Sequence, residues 1–172
     1  DIGGESMLPT AHRKILSQIL AALDGTGITW ALTGSASFAL QGVPVQPNDV
    51  DIQTDEVGAY AIERILAHVP NATITKPVEY RESSSIRSHF GNLDIDGVKV
   101  EIMGALQKRL PNGEWEPAVD VRTLRIFVAH GSAQVPVLPL QYEVQAYLKL
   151  GRKDRAELLE RFLRESPGSP RL

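Results

Sequence analysis

An α+β fold is what this sequence predicts: a mixed sheet with flanking helices and a small C-terminal helical pair. Three observations carry that expectation. The predicted elements run helix, strand, short helix, strand, helix, then several strands, then two helices. That order suggests an α+β or α/β sandwich with a mixed sheet, of which α+β is the reading adopted. Short runs such as "DVDIQT" and "VKVEIMG" alternate with period two, whereas the flanking segments repeat their apolar residues at helical spacing. No GxGxxG follows a strand and no Walker Gly-Lys-Ser/Thr occurs, which argues against a Rossmann or P-loop architecture.

Taken in order, "TAHRKILSQILAALDGTG" reads as an amphipathic helix with Leu16, Ile19, Leu20 and Leu23 on one face and Gly25 or Gly27 ending it. "ITWALTG" is a short buried strand, and "SASFALQG" a short helix closed by Gly42. "VPVQPN" cannot be regular, because its two prolines fix φ and remove donors. "DVDIQT" is a strand with Val50 and Ile52 on one face and Asp49 and Asp51 on the other. "EVGAYAIERILAHV" is a helix offering Tyr60, Ile62, Ile65, Leu66 and Val69 to the core. Strands follow in "SSIRSHFGNLDI", "VKVEIMG", "TLRIFVAHG" and "AQVPVLP", and Asp96-Gly97 between the first two is a tight hairpin signal. "LQYEVQAYLKLG" and "RKDRAELLERFLRE" make the terminal helical pair. The domain plan is a vector-derived remnant at 1–6, a main domain at 7–138, a helical extension at 139–165 and a frayed tail at 166–172.

With 172 residues, 42% hydrophobic and 23% charged, the chain is one globular domain able to bury a core. It has no cysteine, so disulfides, thiolate metal sites and a cysteine nucleophile are excluded, and a cytoplasmic location is expected. A net charge of −3 gives no global basic field to attract nucleic acid. No apolar run reaches membrane-spanning length, so no membrane partner is expected.

The chemistry concentrates between Trp30 and Glu56. On one strand face, Asp49 and Asp51 stand roughly 6 to 7 Å apart at the backbone, and like charges so close call for a cation. Mg²⁺ takes oxygen ligands and binds through one or two carboxylates together with substrate phosphates. Just upstream, Gly34-Ser35 opens a helix whose first N–H groups lack intrahelical partners and can face a phosphate. Gly34 permits close backbone approach and Ser35 can add a hydroxyl.

Gly-Ser, a short helix, then Asp-x-Asp on the next strand resembles the signature of the polymerase-β-type nucleotidyltransferases, and the order of elements is similar to the small antibiotic and toxin-type members. The resemblance covers Trp30 to Thr54 and extends more loosely to Glu101, where the family places a third carboxylate. It implies a nucleotidyltransferase-like sheet and Mg²⁺-dependent transfer of a nucleoside monophosphate from ATP or another NTP. The acceptor would be a hydroxyl of a small molecule or protein. Asp49, Asp51 and Glu101 would be the catalytic, metal-holding residues, with Glu101 available as base. Gly34, Ser35, Lys149, Arg152 and Lys153 would bind the nucleotide, because "YLKLGRKDRAE" looks like the family's C-terminal basic motif. One departure is that "GSASFALQG" carries no basic residue, so the triphosphate charge must be met elsewhere.

Blander readings stand beside these. Asp49 could cap the turn after Pro47-Asn48, and Ser35 could serve simply as a helix cap. Glu101 could pair with Lys99 on a surface, and Lys149, Arg152 and Lys153 could complement a helix dipole. Arg87 and His89 are expected on a solvated face, and Trp30 and Phe38 in the core. A second Asp-x-Asp, Asp94 and Asp96, is expected to be turn chemistry rather than a site. Against the enzyme stands a module of the same fold that binds nucleotide or a protein without turnover, which three carboxylates together disfavour.

Overall fold

The structure is a computed structural model and describes residues 8–166. The segment 1–6, expected to be a remnant, and the part of the expected frayed tail beyond Ser166 lie outside them. Six helices and seven strands follow in the order α1 (Thr10–Leu23), β1 (Trp30–Thr33), α2 (Gly34–Leu40), β2 (Val50–Thr54), α3 (Glu56–Leu66), β3 (Ala72–Glu82), β4 (Ile86–Ile95), β5 (Val98–Lys108), α4 (Val121–Leu124), β6 (Ile126–His130), β7 (Ala133–Val137), α5 (Leu140–Lys149) and α6 (Lys153–Glu165). Among these, no helix is long and apolar enough to cross a membrane.

All seven strands form one mixed sheet in the order β3-β4-β5-β2-β1-β7-β6. The expected α+β architecture is therefore the observed one. Pairings β2–β5 and β1–β7 are parallel and the other four antiparallel. One face is apolar because alternate residues point there: Leu32, Ile52, Val100 and Ile102 are buried with Ile15, Leu16 and Ile19 of α1 and Ile62 and Leu66 of α3. The other face receives the C-terminal pair. Phe38 and Val43, in and just after α2, pack with Leu140, Val144, Ala156 and Leu159 of α5 and α6, while Ala31 packs with Val121 and Leu138.

Two elements depart from the sequence-based expectation. β3 is a strand where none is expected. It is an edge strand, largely exposed, with Pro77 inside it and register shifts on both sides of Lys76. An edge or bulge is where a strand tolerates proline, so the feature that hides the strand also permits it. The short α4 occupies part of the segment expected to start a strand, with Asp120 accepting from the Thr123 N–H at its N-terminus. The β4–β5 hairpin closes as expected through Asp96 and Gly97, both at positive φ.

β5 is held against α3 at Gly104. A methyl group added there would lie 2.7 Å from the Ala59 Cβ and 2.7 Å from the Asp55 carbonyl oxygen. Because backbone cannot yield as a side chain can, Gly104→Ala is expected to destabilise the fold by about 1–3 kcal/mol. Urea unfolding monitored by circular dichroism measures it, with an unchanged midpoint as the contrary result.

Candidate active site

The parallel pairing of β2 with β5 sets Asp51 directly beside Glu101, and the antiparallel pairing with β1 sets Asp51 beside Thr33. Asp49 lies immediately before β2, brought there by the proline-interrupted loop. One carboxylate oxygen from each of Asp49, Asp51 and Glu101 lies within 4.8 Å of the others. All three side chains are partly buried, and Asp51 Oδ1 is buried without a hydrogen-bond partner.

Such packing is costly for anions. Burial, then the charges of Glu101 and Asp49, push the Asp51 carboxyl up to about 8. A clustered all-oxygen donor set with an orphaned oxygen fits a hard divalent cation, which would offset both repulsion and desolvation. The Lys99 ammonium approaches Glu101 at 3.9 Å. The surface-pair reading is therefore also present, but as a long contact at the rim.

Gly34 stands over this trio at φ +73°, and a Cβ there would lie 2.5 Å from Asp51 Oδ2. Its backbone must be both left-handed and bare. The helix N-cap is Thr33 rather than Ser35, and its hydroxyl makes no cap bond. Instead Thr33 Oγ1 donates to Glu143 of α5, 2.8 Å from each carboxylate oxygen, and the Gly34 N–H donates to Glu143 Oε2 at 3.0 Å. The Gly34 donor, expected to face an anion from solution, is already occupied by an anion of the protein. Ser35, partly buried in the first helical turn, retains a position where a backbone N–H has no intrahelical acceptor.

Glu143 is a polar group that the sequence pattern did not bring forward. It is buried, and burial pushes it up to about 7 despite the two donors. A signal exists: Leu140, Glu143 and Val144 share the buried face of α5 at helical spacing, so an acid occupies an apolar position. Beside it lies a second polar group. Buried Lys108 donates to the Tyr142 hydroxyl at 3.1 Å, and burial holds its ammonium below the usual lysine range.

The basic residues divide. Lys149 is engaged by Glu116 at 2.6 Å. Arg152 and Lys153 line a pocket of about 630 Å³ at the start of α6, together with Arg155, which the sequence motif did not single out. Tyr147 connects this pocket to the acidic end. It stacks edge-on against Phe38 and lies beneath the Arg152 guanidinium, 5.0 Å from the ring centre. Burial and the Glu143 charge raise the Tyr147 hydroxyl, with Asp51 a smaller contributor, while Arg155 and Arg152 pull the other way.

The remaining candidates fall outside. Asp94 accepts from the Gly97 N–H at 2.9 Å, and Asp96 binds Asn71 and Lys14, as befits turn residues. Arg87 and His89, expected on a solvated face, are not on one. Arg87 bonds Gln107 and lies over Trp115, and His89 bridges Tyr60 and Glu56. The expectation fails because α3 and the loop after β5 cover β4 there. Trp30 and Phe38 are core residues, as expected.

The sequence profile of the aminoglycoside-2″-adenylyltransferases matches residues 15–160. The chain belongs to that family. It is accordingly a nucleotidyltransferase, as the Gly-Ser and Asp-x-Asp pattern implied. A Thermotoga maritima protein classed as a nucleotidyltransferase is 48% identical over 94% of this chain and 98% of its own, with a TM-score of 0.80. The same fold is found, at 12% identity and a TM-score of 0.59, in ANT(2″)-Ia bound to adenylyl-2″-tobramycin, with 90% of each chain covered. The lincosamide adenylyltransferase LnuA bound to lincomycin shares it at 14% identity and a TM-score of 0.56, over 89% of this chain and 97% of its own. No curated protein sequence matches the chain.

The raised carboxyls have a consequence for this family member without metal. Between pH 3.8 and about 8 the folded Asp51 keeps a proton that the unfolded chain has lost. Glu143 behaves alike between 4.5 and about 7. The folded state therefore binds more protons, and stability falls as pH rises through this window. Thermal melts with chelator from pH 5 to 8.5 should show that fall, flattened by Asp51→Asn and opposed by added Mg²⁺. A rising profile in the wild type would contradict the assignment.

Proposed function

We propose that this nucleotidyltransferase is Mg²⁺-dependent and moves a nucleoside monophosphate from ATP, or another NTP, to a hydroxyl of a small molecule. The observation that carries the proposal is the cluster of Asp49, Asp51 and Glu101 within 4.8 Å, set against the bare backbone of Gly34. The small-molecule acceptor is supported by the family's description and by the antibiotics named for ANT(2″)-Ia and LnuA.

In this reading Asp49, Asp51 and Glu101 would hold the cation. The cation, when bound, neutralises phosphate charge and acidifies the acceptor hydroxyl. The chain's own residues do the rest. Gly34, with no side chain, leaves room for Asp51 and for close approach of a phosphate to the backbone, and Ser35 offers its N–H and hydroxyl to a phosphate oxygen. Arg152 and Lys153 face the triphosphate from α6, with Arg155 beside them. Lys149 joins them on leaving Glu116. The acceptor oxygen attacks the α-phosphorus, the bond to the β-phosphate oxygen breaks, and pyrophosphate departs. Glu101, at the rim beside Lys99, takes the hydroxyl proton.

Pyrophosphate release from ATP and Mg²⁺, screened against polyhydroxylated small molecules, tests the whole reading. Asp49→Asn combined with Asp51→Asn should reduce release to background with folding intact. Glu101→Gln should lose turnover while sparing much of the nucleotide binding, and Asp94→Asn should change little. Release undiminished in the double variant would remove these carboxylates from the reaction, and no release by the wild type would leave the protein a binding module of this fold.

The basic side gives a separate outcome. Lys149→Ala and Arg152→Ala should each weaken ATP more than AMP, because each cation would meet the β- or γ-phosphate, which AMP lacks. Equal weakening for the two nucleotides, measured by calorimetry, would remove those residues from the triphosphate site.

A further inference from the structure

Glu143 belongs to neither the acidic trio nor the basic pocket, yet among the described residues it is one of the most deeply placed ionisable groups, 5% exposed. A buried carboxylate is expensive unless something is gained from its position. Its partners say what that is. Both come from the junction of β1 and α2: the Thr33 hydroxyl and the Gly34 N–H. Thr33 is the strand partner of Asp51, and Gly34 is the residue whose missing side chain leaves room for Asp51 Oδ2. The carboxylate thus clamps the peptide that forms one wall of the aspartate's pocket.

We propose that Glu143 is a positioning residue. By holding Thr33 and Gly34 it fixes the left-handed turn at the start of α2, keeps Asp51 oriented toward Asp49 and Glu101, and makes cation binding depend on the docking of α5. This rests on the nucleotidyltransferase reading above. Hydrogen-bonded groups one step removed from a metal orient its ligands, and their loss typically costs about 10- to 100-fold in affinity or activity.

Two substitutions separate the clamp from the charge. In Glu143→Gln the amide oxygen can still accept from Gly34, and the amide NH₂ can donate to the Thr33 oxygen, since a hydroxyl both donates and accepts. The charge is gone but the clamp remains. In Glu143→Ala both are gone, and the buried Thr33 hydroxyl and the partly buried Gly34 N–H lose their acceptor.

Calorimetric titration of the full chain with Mg²⁺ alone, without nucleotide, is the readout, paired with kcat and KM for ATP. Glu143→Ala should weaken Mg²⁺ by about 10- to 100-fold and lower kcat more than it raises KM. Glu143→Gln should recover most of that loss. Thr33→Val, which removes one donor at nearly constant volume, should weaken Mg²⁺ in the same direction and stands in if the alanine variant does not fold. Unchanged Mg²⁺ affinity in Glu143→Ala or Thr33→Val, whatever the melting temperature, overturns the proposal. So does a glutamine variant as weak as the alanine one, because charge rather than the clamp would then be acting. A wild type that binds no divalent ion removes the Mg²⁺-dependent reading together with this inference, whereas ion binding equal across the variants removes the role of Glu143 alone.

Discussion

Parallel pairing of β2 with β5 places Asp51 opposite Glu101, and almost everything at the acidic end follows from that register. A slip of one residue would send Glu101 into the apolar face and Val100 or Ile102 into the site, because side chains alternate with period two. Several features hold the register. Val50, Ile52, Val100 and Ile102 are buried on the helical side, so the hydrophobic pattern of both strands excludes a one-residue slip. The tight β4–β5 turn fixes where β5 begins. Gly104 lets α3 approach the strand at the other end of the paired segment. None of these residues carries chemistry, yet together they determine where three carboxylates meet.

That meeting runs against the stability of the metal-free protein. Desolvation and mutual repulsion keep a proton on Asp51 far above the ordinary carboxylate range, and a fourth acid, Glu143, is buried close by. The fold carries this cost because the large core beneath the sheet is indifferent to it. The apolar cluster of α1, α3 and the central strands lies on the opposite face from the acids. Charge and burial are therefore divided by the sheet: one face supplies the larger share of the burial energy, and the other holds the clustered acids beside smaller apolar clusters.

Much of this is legible in the sequence, for physical reasons that differ by element. Helices α1, α3, α5 and α6 announce themselves by apolar spacing, and β1, β2, β4 and β5 by alternation or by short apolar runs bounded by turn residues. Asp49 and Asp51 are legible because two carboxylates two residues apart on a strand make little sense without a cation. Glu101 is legible once β5 is imagined beside β2. What stays hidden is what depends on tertiary neighbours. β3 is exposed, polar and broken by Pro77, so its pattern carries no burial signal. His89 and Arg87 read as solvated because the elements that cover them are distant in sequence. Glu143 contacts residues more than a hundred positions away, and only its place on the apolar side of α5 hints at burial.

The C-terminal helices are more than a cover for the sheet. Phe38 of α2 stacks on Tyr147 of α5, Thr33 and Gly34 hydrogen-bond Glu143, and Arg152 lies over Tyr147. The helix that begins at Gly34 is therefore gripped on its length by aromatic packing and at its start by a carboxylate, both from α5. A helix of seven residues has little stability of its own, since nucleation consumes most of what its few hydrogen bonds return. Its orientation has to come from outside. The segment that supplies this orientation is continuous with the one that carries Arg152, Lys153 and Arg155. The connection through α5 and the short turn at Gly151 thus links the turn beside the carboxylates to the basic start of α6, so the spacing between carboxylates and cations depends on how α5 docks and on the turn that follows it.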